Sequence, residues 1–382
     1  MKKLLLLVAA VVMATGASAQ LSLLKDVSKL AGSSKVEELQ QALSMVQPAL
    51  TNPETASNAQ AWFLAGKAAF GIYDQLNTKK MLNQAVDADL MATSLMQGFE
   101  YLQKALPLDS VAETNKDGSL KLDKNGNKKI KTKYAQEIVG LLTGHFGDVA
   151  QLGNDGLTSE NWKQAAAGFG NYVKLATSPF AKSQNIMLPD STVAEIYFYE
   201  GYAHYNDKNF AAAFPAFNNS IKKGYTGNNV ALFRQSALAN VVQGFIDKQD
   251  YTGAINLVDG LLVDSPKDGF LYDMKGFALE LKDDGVENAL EYYKKACELD
   301  PNFANAFFDA GRALYLKADK IVTDNPDKND AQLKPLLVPI YQEALPYLQK
   351  AVSFDASTFE NGDKAQKVID DIMYKLELLG VK

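Results

Sequence analysis

The sequence predicts an all-α chain built from antiparallel helix pairs, and three observations carry that prediction. The first is a recurring helical turn: Tyr101 to Ala105 and Tyr347 to Ala351 both read YLQKA, and Tyr292 to Ala296 reads YYKKA. Each copy closes on a short apolar, acidic tail, LPLDS, VSFDA or CELDP. The second is register. FLYDMKGFALE at 270–280 aligns with NAFFDAGRALY at 305–315, so Gly276 and Gly311 lie 35 residues apart, as do Pro266 and Pro301. Self-similarity at a fixed period of this length marks a repeat architecture. The third is spacing within one repeat. Leu279, Leu281, Ala289, Tyr293, Ala296 and Leu299 recur at helical intervals on either side of a KDDG break at 282–285, giving helix, turn, helix, then proline.

The chain opens on MKKLLLLVAAVVMATGASAQ, with two lysines, an apolar run and Ala17-Ser18-Ala19 ahead of Gln20. Residues 1–19 read as a secretory signal peptide cleaved after Ala19, its apolar core too short for a transmembrane helix. No cysteine stands at the cleavage point to take a lipid anchor, so the mature chain is expected in a bacterial periplasm or outside the cell. No later segment reaches ~18 uninterrupted apolar residues, which argues against a membrane-spanning helix.

An amphipathic helical segment at 36–50, within residues 20–58, precedes the first repeat. Trp62, Ala65 and Gly66 then pair with Gly98, Leu102 and Ala105, and Gly144 and Phe146 stand ahead of Trp162, Ala165 and Phe169. Tyr197, Gly201, Ala213 and Phe217 form the next copy, and Tyr251, Ala254, Leu261 and Pro266 mark the second helix of another. Tyr272, Gly276, Ala289, Tyr293, Ala296 and Pro301 make the clearest copy, followed by Phe307, Ala310, Gly311 and Leu314 with Ala344, Leu348 and Ala351.

These residues resemble the tetratricopeptide repeat, a 34-residue antiparallel helix pair patterned W-x2-L-G-x2-Y…A-x3-F…P. The resemblance covers residues 59–355 and implies a right-handed α-solenoid of about six helix pairs. A solenoid needs its terminal apolar faces covered, so residues 20–58 and 356–382 are expected as caps. The second cap would use Val368, Ile369, Ile372, Met373, Leu376 and Leu379. Glycine and alanine at the repeat positions let neighbouring helices approach while an aromatic fills the adjacent gap.

Departures from the pattern have their own meaning. Gly66 to Gly98 spans 32 residues and Gly311 to Ala344 spans 33, against 13 from Gly276 to Ala289. The first repeat is therefore expected to carry elongated helices, and VTDNPDKNDAQLKP at 322–335 reads as a polar loop in the last. Pro215 and Pro346 fall inside second helices. Between the first two repeats, NKDGSLKLDKNGNKKIKTK at 115–133 predicts a β-hairpin insertion around Asn125-Gly126, with Leu120 and Leu122 alternating with polar residues.

Charge excludes some function classes. The formal net charge is −6, and −8 without Lys2 and Lys3, so the chain lacks the basic balance that nucleic-acid binding runs on. The single cysteine, Cys297, cannot form an intramolecular disulfide and sits in an apolar helical pattern, as a buried structural thiol does. Two histidines, His145 and His204, and the lack of any catalytic or phosphate-binding motif give no material for an enzyme, a metal site or a cofactor. His204 has no second ligand at i+4. Asp123, Asn125 and Asn127 alternate as in a calcium loop, yet the positions that need glycine and glutamate hold Lys128 and Tyr134.

The resemblance implies a ligand groove on the concave face of the first helices. Carried onto this chain, that face holds Phe63 and Lys67, then Phe198, Tyr202 and Tyr205, then Phe270, Asp273 and Phe277, and finally Phe308, Arg312 and Tyr315. Tyrosine and arginine are frequent interface anchors. Two readings of IYFYEGYAHY stand side by side: a densely packed core helix, or an aromatic stripe facing a ligand. Seven lysines crowd residues 116–133, either as a solvated hairpin or as a basic prong in which Lys128, Lys129 and Lys131 meet an acidic partner or lipid headgroups. The function implied is a non-catalytic scaffold of the cell envelope that binds a protein or peptide. The alternative is a glycan or small-molecule binder that uses aromatic stacking.

Overall fold

The computed structural model describes residues 21–282, 286–355, 359 and 361–381. The expected signal peptide and Asp283 to Gly285 of the interhelical break lie outside the described residues. The chain divides into two compact units, one ending at Val230 and the other beginning at Ala231. Both are all-α apart from one small β element, as the sequence predicts. No described helix is long and apolar enough to cross a membrane.

The first unit begins with α1 (Leu24–Leu30) and α2 (Val36–Thr51), and α2 packs Leu39, Ala42 and Val46 against the first hairpin. That hairpin is α3 (Ala59–Met81) and α4 (Ala88–Leu108), both elongated as expected. Each helix starts on a side-chain cap: Asn58 accepts from the Ala61 N–H and Asp87 from the Leu90 N–H. After the β element come α5 (Ala135–Gly144), α6 (Phe146–Thr158) and α7 (Trp162–Ala176), then the short α8 (Pro179–Ser183). A third hairpin, α9 (Asp190–Asn206) and α10 (Phe210–Lys222), follows, with α9 packed against α7.

The second unit holds most of α11 (Val230–Ile246), then α12 (Tyr251–Asp264), α13 (Gly269–Lys282), α14 (Glu287–Leu299), α15 (Ala304–Thr323), α16 (Asp330–Val352) and α17 (Gly362–Leu378). Helices α13 and α14 pair, as do α15 and α16, and α17 lays Ala365, Ile369, Ile372 and Leu376 onto the last pair.

One packing device recurs in these hairpins. A Cβ built on Gly201 would stand 2.7 Å from the Phe217 ring, one on Gly276 2.7 Å from Tyr293, and one on Gly311 2.5 Å from Leu348. The small residue of the first helix thus receives the large residue of the second, and any side chain there would overlap it. The second hairpin follows the same rule on an unexpected residue. Its receiving glycine is Gly153, 2.9 Å by the same measure from Phe169, rather than Gly144, which ends α5, or Phe146.

Two elements differ from expectation. The polar segment at 322–335 is mostly helical, because Asn329 and Gln332 form a capping box that starts α16 at Asp330. Pro335, Pro339 and Pro346 then fall on one exposed face, so the carbonyls they leave unbonded turn toward water. The insertion is also more than one hairpin. It begins at β1 (Val111–Ala112), which pairs antiparallel with β2 (Ile130–Lys131), and the segment between them bridges both ways: Leu120 opposite Thr114, and Leu122 opposite Lys128. Two like turns make this possible. Asn115 to Ser119 and Asp123 to Asn127 lie eight residues apart, each with a glycine at positive φ, Gly118 at 84° and Gly126 at 80°.

Candidate functional site

The residues proposed for the groove fall into two structural groups. Phe63, Phe198, Phe270 and Phe308 are buried, at 4 %, 3 %, 8 % and 8 % exposure. Phe63 stacks on Tyr134 with ring centroids 4.6 Å apart, and Phe198 lies 5.1 Å from Tyr225 and 5.9 Å from Phe217. Phe270 packs against Phe303 and Phe308 against Phe359. Their partners remain half-exposed or polar. Lys67 pairs with Glu137 at 2.7 Å, Tyr202 meets Trp162 edge-on at 6.1 Å, and Tyr205 meets Phe210 at 5.2 Å. Phe277 is half-buried.

In the second unit the polar members of that stripe join an internal network. Arg312 donates through both terminal nitrogens to Glu280, at 2.8 Å each, and through Nε to Asp309 at 3.3 Å. The Tyr293 hydroxyl donates to the same Glu280 at 2.8 Å. Burial raises the Glu280 carboxyl, and the hydrogen bonds from Arg312 and Tyr293 outweigh it, leaving a lowered pKa. Asp309, mostly buried, is pushed up to about 6. Asp273 is buried with Oδ1 unpartnered among the described residues, and burial with the like charge of Asp309 raises it well above the carboxylate range. Tyr315 donates to Asp371 at 2.7 Å and accepts from Lys375 at 2.9 Å, which ties α15 to α17. Burial pushes the Cys297 thiol up to about 12, in line with an inert structural cysteine.

An open surface large enough to hold a ligand occurs in the first unit. A cleft of about 730 Å³ lies between α4, α6 and α7. It shares Leu152 and Gln164 with a cleft of about 340 Å³ on one side, and Ala167, Asn171 and Lys174 with one of about 480 Å³ on the other. The three form one trough running along the outer face of α7. Its cause is local: the β insertion and α5 intervene between the first two hairpins, and α4 makes little direct contact with α6.

The lining is chemically specific. Gln97 and Gln103 from α4 and Asn171 from α7 are half-buried primary amides with no side-chain hydrogen bond among the described residues. Gln164 is held in place, donating to the Leu152 carbonyl at 3.2 Å. Lys104 pairs with Glu100 at 2.7 Å, while Lys163 and Lys174 have no ion pair among the described residues. On α9 the trough is bounded by Glu200 and His204. Burial raises the Glu200 carboxyl, only partly opposed by Lys174, and burial lowers His204. Phe198, Tyr202 and Tyr205 occupy the other side of that helix. None of the four amides was foreseen, because the expectation followed first helices and all four sit on second helices of the first two hairpins.

His145 is not at the trough. Its ring stacks on Phe70 at 4.1 Å, with Nδ1 2.9 Å from Asp148. Among the described residues no cluster of potential metal ligands occurs, and Asp123 binds the backbone of its own turn, accepting from the Asn125 and Asn127 N–H groups.

No family model and no curated protein matches the sequence. Solved structures similar to this chain include the TPR2AB domain of yeast Sti1 in its pHSP90 complex, at 14 % identity and TM-score 0.26, covering 82 % of this chain and 99 % of that one. A TPR repeats protein from Bacteroides fragilis is 18 % identical with TM-score 0.33, covering 60 % and 98 %. The P58(IPK) TPR domain is 13 % identical with TM-score 0.28, covering 95 % and 98 %. What the hairpins share internally is a glycine of the first helix that receives a large apolar or aromatic residue of the second.

Proposed function

We propose that this chain is a non-catalytic scaffold of the bacterial cell envelope that holds an extended peptide segment of another protein in the trough of its first unit. The observation that carries the reading is the set of half-buried amides, Gln97, Gln103 and Asn171, facing a cleft without a partner among the described residues. A primary amide offers a donor and an acceptor in one plane, as a peptide bond does, so it can hold a backbone irrespective of sequence. Lys163 and Lys174, without an ion pair among the described residues, add a preference for acidic side chains beside α7, moderated by Glu200. Peptide is favoured over glycan because the one aromatic ring lining the main cleft, Phe99, is itself buried at 1 % exposure and offers no open face for stacking. The signal-peptide sequence supports the envelope setting.

Arrays of short peptides drawn from exported proteins, followed by fluorescence anisotropy on the strongest binder, test this reading. The Gln103→Ala/Asn171→Ala variant should bind about tenfold or more weakly, as expected for lost hydrogen bonds of about 1 kcal/mol each. Tyr202→Ala should bind as the parent does. Equal affinity for parent and amide variant, or loss on Tyr202→Ala alone, would move the ligand to the aromatic stripe.

A further inference from the structure

The insertion at 111–133 is a built, amphipathic projection, and its two faces differ sharply in chemistry. Three backbone segments meet at its centre: the Glu113 N–H donates to Lys129 O, the Lys129 N–H to Lys121 O, and the Lys121 N–H to Glu113 O. Residues paired across antiparallel strands share a face, and successive residues alternate. Ala112 with Ile130, Thr114 with Leu120, and Leu122 with Lys128 therefore ring one side of the junction. Glu113, Lys121, Lys129 and Lys131 take the other, with the exposed Val111. Leu120, Leu122 and Ile130 are 43 %, 56 % and 50 % exposed, an aliphatic face left in water.

The projection is firmly rooted. Buried Asp109 accepts from the backbone N–H groups of Lys133, Tyr134 and Ala135 through Oδ2, at 2.9, 2.7 and 2.8 Å, so the chain returns to the point where it left. Its acidic groups are engaged locally: Asp117 accepts from Ser119, Asp123 from its own turn, and Glu113 from Lys121 at 3.1 Å. Lys116, Lys124, Lys128, Lys129 and Lys131 have no ion pair among the described residues.

We propose that this prong docks on an anionic lipid surface, with Leu120, Leu122 and Ile130 entering the headgroup layer and the unpaired lysines meeting lipid phosphates. The composition selects lipid over protein. Cores of protein interfaces favour tyrosine, tryptophan, methionine and arginine and are depleted in lysine. The prong has seven lysines and none of those four. Exposed aliphatic side chains bordered by long, flexible lysines, whose charges can reach the surface from either side of a thin sheet, match a membrane interface.

Co-sedimentation of the purified chain with phosphatidylcholine vesicles, with and without phosphatidylglycerol, tests the proposal. Binding should require phosphatidylglycerol and weaken as salt rises. Lys128→Glu/Lys129→Glu/Lys131→Glu should lower it at least tenfold, each lysine near an anionic surface being worth about fivefold. Leu120→Ser/Leu122→Ser/Ile130→Ser should lower it as well, at equal net charge and with helicity unchanged by circular dichroism. The amide variant of the trough should bind vesicles as the parent does, which separates this proposal from the peptide-binding reading. No binding to anionic vesicles, equal binding to neutral ones, or full binding by either triple variant would overturn it. Retention on an acidic protein in place of vesicles would overturn it too.

Discussion

Replacing Asp273 with asparagine should stabilise the second unit at pH 8 and leave it unchanged near pH 4. The carboxyl is 3 % exposed, and its Oδ1 has no partner among the described residues. Asp309 and Arg312 of α15 face it, Glu280 follows on its own helix, and Cys297 approaches from α14. Burial first, and the like charge of Asp309 second, raise its pKa, with Arg312 opposing in part. A carboxyl raised in this way contributes stability that is fully present below its unfolded pKa of about 3.9 and lost as pH rises through the folded value. Above that window the parent must hold a proton the unfolded chain has released, or bury an unpaired charge. Asparagine does neither. The gain at pH 8 is the linkage cost that the carboxyl carries there, about 1.4 kcal/mol for each unit by which its folded pKa exceeds the unfolded one. Asp309, pushed up to about 6, leaves part of the pH dependence in the variant. Its own contribution, of order 3 kcal/mol, fades between about pH 4 and 6. The assay is urea unfolding followed by far-ultraviolet circular dichroism at both pH values. Both tryptophans, Trp62 and Trp162, lie in the first unit, so their fluorescence serves as a control that the substitution should leave in place. A loss of stability at pH 8, or the same gain at pH 4, would refute the reasoning.

Three further outcomes follow from the packing. Gly276→Ala should cost up to about 2 kcal/mol in thermal or urea unfolding, since overlap with Tyr293 costs about 1–3 and the helix propensity of alanine returns about 1. Asp109→Ala should loosen the root of the prong by removing the acceptor of three backbone N–H groups, at a cost of about 2–3 kcal/mol, and limited proteolysis should then cut faster within 111–135. Cys297, with its thiol pushed up to about 12 and 6 % exposed, should resist iodoacetamide at pH 8 until urea unfolds the chain, as read by mass spectrometry.

Much of the helix pairing was legible because its determinants are local. Gly201 and Phe217 lie 16 residues apart, and Gly276 and Tyr293 17 apart, so the receiving glycine and the ring it receives fall within one short hairpin. The same interval from Phe169 points to Gly153, but that helix also contains Gly147 and Gly156, so a glycine alone did not single out the receiving position. The trough was not legible. Gln103 and Asn171 come together only because an insertion of unforeseen geometry stands between two hairpins, and nothing in either helix alone marks its amides as facing a cleft. On α9 periodicity gives two faces, Phe198 with Tyr202 and Tyr205, and Glu200 with His204. The apolar content all round that helix does not say which of them meets open space.

The polar network of the second unit shows how a repeat register carries more than topology. With a period of 35, residues that far apart occupy equivalent places on successive first helices, α13 and α15. Glu280 and Arg312 differ by 32, an offset of one helical turn from equivalence, and they meet as a double hydrogen bond between those helices. Asp273 and Asp309 differ by 36, one residue from equivalence, and sit close enough for Asp273 to feel the charge of Asp309. Arg312 is thereby held by Glu280, which lies a turn from the equivalent place on the neighbouring helix. The register that brings Glu280 to Arg312 also places Asp273 beside a like charge, and that charge is one of the two causes on which the Asp273→Asn experiment turns.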